Sequence, residues 1–132
     1  MVVQKKQYKG YRDLKVYQLS FKLAMEIFEL SKTFPKDEKY SLTDQIVRSS
    51  RSVPANIVEG WMKRLYSKMF VSKMIDSLGE SGETEVWLNF ALDCGYISKG
   101  EHEYFIKNYT EVNRMLFGMI SKPGKFILKI RK

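Results

Sequence analysis

Arg48, Arg51, Lys63, Arg64 and Lys68 are the side chains of this sequence whose type and spacing best suit a chemical task. Arg48 and Arg51 fall one turn apart on a helix, and Lys63, Arg64 and Lys68 follow its end, so together they can track phosphates as nucleic-acid-binding proteins do. The competing reading pairs some of them with acids on the third or fourth helix of a neighbouring subunit. Tyr8, Tyr11, Trp61 and Tyr66 lie among basic groups and are able to stack on unpaired bases. Packing in a core or an interface is the commoner fate of such rings. Asn56 and Glu59 are expected to serve backbone groups freed by Pro54 rather than to take part in catalysis.

Other chemistry is closed off by what the chain lacks. One cysteine, Cys94, rules out an internal disulfide, a thiolate zinc cage and a CxxC redox pair. One histidine, His102, stands between Glu101 and Glu103 early in a helix, where an exposed residue is expected rather than a general base. The Glu-x-x-His repeat of di-iron bundles is absent, which leaves a carboxylate-only site as the remaining option for a metal. Neither a nucleophile beside a base nor an acid pair is visible. The expectation is a non-enzymatic protein with no cofactor.

The positive charge is concentrated. The chain carries 23 Lys plus Arg against 15 Asp plus Glu, a net of +8, which points to an anionic partner. Residues 1–15 hold +4, residues 48–73 hold +5 and residues 121–132 hold +5, whereas residues 74–120 hold −5. Such a body suits nucleic-acid binding on its basic side, or head-to-tail association of copies with basic sector against acidic. Met1 to Leu14 contains Lys5, Lys6, Lys9 and Arg12 but no apolar core of a signal peptide, and no apolar run approaches the ~20 residues that cross a bilayer. A cytoplasmic protein without a membrane partner is expected.

The elements that must hold these groups are helices within one domain, because 132 residues leave no room for a second comparable core. The periodicity predicts helices over about 13–34, 42–61, 66–94 and 99–121, with basic arms at 1–12 and 122–132. Asp13 is expected to cap the first, Ser41 or Thr43 the second, and Ser98 with Glu101 forms a capping box for the fourth. Phe34-Pro35 ends the first helix and Cys94-Gly95 the third. Pro54 predicts a kink near Ser50 rather than an end, and Gly60 weakens or closes the second helix. The arrangement expected is all-α, an up-down-up-down antiparallel four-helix bundle with a kinked second helix.

Two features of these helices ask for a partner. On the first, Leu14, Tyr17, Phe21, Ala24 and Phe28 form one apolar stripe, and Val16, Leu19, Leu23, Ile27, Leu30 and Phe34 a second beside it. A surface helix needs only one stripe, so the surplus is either buried deep in its own bundle or used between subunits. On the third, Ser77, Gly79, Ser81 and Gly82 crowd small residues together, which predicts close approach of a neighbouring helix, most directly at Gly82. The tail from Lys125 to Lys132 alternates apolar and basic residues, as an extended arm or a frayed end would.

The runs Tyr11-Arg12-Asp13-Leu14-Lys15-Val16-Tyr17-Gln18, Phe34-Pro35 and Gln45 to Gly60, above all Ser52-Val53-Pro54-Ala55-Asn56-Ile57-Val58-Glu59-Gly60, carry a family resemblance. A basic stretch, Phe70 and Asp76-Ser77-Leu78-Gly79-Glu80 follow, with Asp76 where a glycine is usual. In these segments the chain resembles the four-helix-bundle proteins encoded in intervening sequences of bacterial 23S rRNA genes. They are related to accessory proteins of diversity-generating retroelements. The resemblance implies a homopentamer that binds nucleic acid, RNA above all, with no established enzymatic activity. In the retroelement branch it implies a reverse transcriptase as protein partner, so that an interaction scaffold is the alternative to direct RNA binding.

Overall fold

The computed structural model describes residues 8–128. Four helices carry the fold: α1 Lys15–Ser31, α2 Asp44–Met62, α3 Ser67–Asp93 and α4 Lys99–Ser121. Each packs against two others, α1 and α3 lying on one diagonal and α2 and α4 on the other, as the up-down-up-down antiparallel bundle requires. Among the described residues there is no strand, and no helix is long and apolar enough to cross a membrane. The arms are described only in part, since residues 1–7 and 129–132 lie outside the described chain, and with them half of the alternating tail.

Helix ends depart from expectation where their partners are not local. Asp13 does not cap α1. It belongs to a short 3-10 turn, Tyr11–Asp13, and its carboxylate accepts the backbone N–H of Lys9 at 2.7 Å. The cap position falls on Leu14, whose side chain has nothing to offer. At its other end α1 stops at Ser31 and tightens through Lys32, Thr33 and Phe34, whose N–H groups reach the carbonyls three residues back.

Neither Ser41 nor Thr43 caps α2. A wider turn, Lys39–Thr43, leads into it, and Glu38 accepts the Leu42 N–H at 3.4 Å and the Ser41 hydroxyl at 2.5 Å. The Tyr96 hydroxyl, from the α3–α4 link, donates to the same carboxylate at 2.7 Å. Ser41 and Tyr96 hold Glu38 below its ordinary pKa, and the bond to Glu38 pushes Tyr96 up to about 12. The two links at this end of the bundle are thereby tied together. Gly95, at φ 77°, closes α3 with Gly95 N–H on the Leu92 carbonyl and Tyr96 N–H on that of Ala91. Ser98 and Glu101 make the expected box at 3.0 and 2.8 Å.

The helix α2 runs through Pro54 without a break. Asn56 and Glu59 do not serve the carbonyl of Ser50, the one that loses its partner to proline. Asn56 donates to Ser52 and Glu59 binds lysines. Between α2 and α3 the contact is closed by hydroxyls as well as by Val53, Ile57, Phe70 and Met74. Ser77 donates to the Val53 carbonyl and Thr84 to Ser49, both at 2.8 Å and both out of water. Short polar side chains whose hydrogen bonds are met let backbones approach closely at little cost.

The glycine at the closest approach is Gly60, not Gly82. A Cβ on Gly60 would meet Met74 Cε and, at 3.0 Å, Lys73 Cβ, so this residue lies inside α2 to admit α3 rather than to end the helix. At Gly79 and Gly82 an added Cβ would meet nothing within 4 Å. Both glycines lie on the outer side of α3, where Ile75, Val86 and Phe90 are also about half exposed. Of the two stripes on α1, Leu14 and Ala24 of the first and Val16, Leu23, Ile27 and Phe34 of the second are buried, while Phe21 of the first remains 49% exposed, with Met25, outside both stripes, at 46%.

Candidate nucleic-acid interface

Antiparallel topology decides which charges meet. The start of α1, the end of α2, the start of α3 and the end of α4 all lie at one end of the bundle. Arg12 and Lys15, Lys63 and Arg64, Lys68, and Lys122 and Lys125 therefore converge there, although they are scattered along the sequence. The described acids nearest that end are already engaged. Asp13 holds the Lys9 N–H, and Glu59 pairs with Lys73 at 3.0 Å and Lys63 at 3.6 Å. The hydrogen bond from Lys73 keeps the Glu59 carboxyl below its ordinary range and raises Lys73 in turn.

An aromatic stack braces this end. The Arg64 guanidinium lies 3.8 Å from the centre of the Trp61 ring, and its Nη1 donates to the Trp61 carbonyl at 2.8 Å. Tyr8 meets Trp61 edge-on at 5.8 Å and stacks on Phe126 at 5.9 Å, and Phe126 stacks on Phe70 at 6.0 Å. The Leu128 N–H donates to the Arg64 carbonyl at 3.2 Å. The segments before α1 and after α4 are in this way fixed against the α2–α3 turn. Partial burial lowers the pKa of Arg64, and a guanidinium remains a cation in proteins.

The residues singled out by sequence separate into two places. Lys63, Arg64 and Lys68 stand at the basic end, and Lys68 is exposed with no ion pair among the described residues. Arg48 and Arg51 are not brought to them. Arg48 hydrogen-bonds Glu83, which also accepts from the Trp87 indole at 3.2 Å, and pairs with Glu80 at 3.5 Å. These acidic partners belong to α3 of its own chain. Arg51 lies 5.1 Å from the centre of the Phe28 ring, on the side shared by α1 and α2.

Of the aromatic candidates, Trp61 is buried, Tyr8 and Tyr11 are half-buried against other rings, and Tyr66 is exposed at 61%. Lys122 and Lys125 stood out in the sequence only as part of an arm, and Lys15 only within the charge of the first fifteen residues. The pattern that could have joined them to Lys68 is the alternation of helix direction. Cys94 and His102 lie toward the opposite end, His102 with its Nε2 at 2.8 Å from Asn89 Oδ1. Among the described residues no three His, Cys, Asp or Glu side chains gather as a metal site would require.

Comparison with known proteins places the chain among relatives. No curated protein matches the chain. A crystal structure of a protein of unknown function from the S23 ribosomal protein family of Bacteroides thetaiotaomicron, solved at 1.70 Å, superposes with a TM-score of 0.72. It shares 31% sequence identity over 80% of this chain and 97% of that one. Residues 12–118 match the model of the 23S rRNA-intervening sequence proteins, a span that runs from the turn before α1 almost to the end of α4. With sequence and bundle in agreement over that length, the chain belongs to the 23S rRNA-intervening sequence protein family.

Proposed function

We propose that this chain is a non-enzymatic protein that binds nucleic acid through phosphates, with RNA as the favoured partner and little preference for sequence. The convergence of Arg12, Lys15, Lys63, Arg64, Lys68, Lys122 and Lys125 at one end of the bundle carries the reading. Phosphate contacts position a protein without reporting sequence, and no helix here presents a base-reading set of Arg, Asn and Gln. The family's association with an rRNA intervening sequence favours RNA over DNA. Affinity for two RNAs of unrelated sequence should be equal and fall linearly on a logarithmic scale as salt is raised, because each neutralised phosphate releases a counterion. An absence of binding at low salt would turn the proposal toward a scaffold whose basic end meets an acidic protein.

That scaffold is the second reading, with a reverse transcriptase as the kind of partner the resemblance implies. Its support is the apolar surface left open on diagonal helices: Tyr17, Phe21 and Met25 along α1, and Ile75, Val86 and Phe90 along α3. The same faces support self-association. An α1 face set against the α3 face of the next copy is a heterologous contact, which closes into a ring when the rotation allows, a ring of five being the size the resemblance implies. Light scattering at micromolar concentration is expected to return a multiple of 15.5 kDa, and a monomer would remove the oligomer from the proposal.

A further inference from the structure

Between the start of α1 and the end of α4 the basic end is hollowed into a cavity of about 500 Å³. Sites that take small organic groups run from roughly 300 to 1,000 Å³. The walls are apolar, built by Val16, by Met115 and Met119, and by the rings of Tyr8 and Phe126. The charged groups on the lining are of one sign, Lys15, Lys122 and Lys125, and none of the three makes an ion pair among the described residues. No acid lines the cavity.

An occupant must therefore be flat or apolar in its body and anionic at its edge. The charge does not stop at the mouth, since Arg12, Lys63 and Lys68 continue it across the same end of the bundle. An amphiphile with one carboxylate would use a single lysine and leave that continuation without purpose, whereas a strand with a phosphate at every residue uses all of it. We infer that the cavity takes one unpaired base of a single-stranded RNA, with the flanking phosphates on Lys15, Lys122 and Lys125. The inference rests on the phosphate-binding reading above and adds a preference for single strands. In a duplex the bases are stacked on one another and cannot enter. Which base enters matters little, because every base has a face to lay against Met, Tyr and Phe and the apolar walls offer no fork of hydrogen bonds to read its edge.

Gly118 lines the cavity from α4, and a Cβ built there meets nothing within 4 Å. Gly118→Leu would put a side chain into the space while keeping all three lysines, and leucine favours a helix over glycine. The test uses the full chain and two fluorescent probes of equal length and charge, a single-stranded RNA and the same backbone without bases. Wild type should bind the intact strand about tenfold more tightly than the abasic one, the effect of one stacked base. Gly118→Leu should bring the intact strand to the abasic level, with the salt slope retained and the melting temperature not lowered. Equal affinity of wild type for the two probes overturns the inference while leaving phosphate binding standing. Laurate that occupies the cavity of a protein indifferent to the bases overturns it in favour of an amphiphile. Failure to bind either probe at low salt removes the phosphate-binding reading itself, and the base site with it.

Discussion

Changing Lys68, Lys122 and Lys125 together to glutamate is expected to weaken binding to every RNA tested, by roughly a hundredfold or more at low salt, and to reduce the logarithmic salt slope by about 2, three phosphate contacts at about 0.7 each on a single strand. These three are preferred to Lys63 and Arg64, whose reversal would disturb more than charge. Lys63 pairs with Glu59, and Arg64 lies on Trp61 and bonds its carbonyl. Lys68 and Lys122 are instead exposed at helix ends, Lys125 is exposed just beyond, and none of them holds a side chain of the core. Titrating wild type and variant against two unrelated RNAs over a series of salt concentrations reads both effects. An unchanged affinity with an unchanged slope would show that the polyanion does not bind at this end.

The second large effect is on stability. Trp61→Ala should cost about 3–5 kcal/mol, the range for removing a large aromatic from a core. Trp61 is 5% exposed, so the loss includes its burial, and it also removes the surface on which the Arg64 guanidinium lies and the edge contact of Tyr8. Urea unfolding should show the midpoint falling with the slope unchanged, as for a loss of stability without a change in the surface exposed. A fall below about 1 kcal/mol would mean that the basic end is assembled without the tryptophan, since surface sites rather than core sites give changes of that size.

How far the sequence could be read depended on whether a residue's partner lies within a few positions. Helical spacing placed all four helices, and the Ser98–Glu101 box was legible because both of its hydrogen bonds close within one turn. Asp13 misled because the 3-10 turn ahead of α1 shifts the cap by one residue to Leu14. Glu38 was invisible as a cap because its carboxylate is fixed jointly by Ser41 and by Tyr96, 58 positions away. Gly60 and Gly82 could not be told apart from spacing, since only the packed bundle shows which one faces a neighbouring helix. The site followed the same rule. Lys63, Arg64 and Lys68 stand close along the chain, whereas the pairing of Arg48 with Glu80 and Glu83, and the arrival of Lys15, Lys122 and Lys125 at the same end of the bundle as Lys68, come from tertiary structure.

The placement of Lys15 and Lys68 bears on the stability of the bundle itself. They occupy the first turns of α1 and α3, neither of which contains an acid. A helix presents partial positive charge at its start, so a cation there is disfavoured by about 0.3–1 kcal/mol at an exposed site, and carboxylates are what a helix dipole would select. Lys122 stands at the negative end of α4 and is favoured. The basic end thus carries charge that the macrodipoles of two helices oppose, and repulsion among its cations adds to that cost. A bound polyanion offsets both, and a ligand that binds only the folded chain raises its stability by mass action. Nucleic acid would in this way relieve a cost that the bundle bears at its basic end.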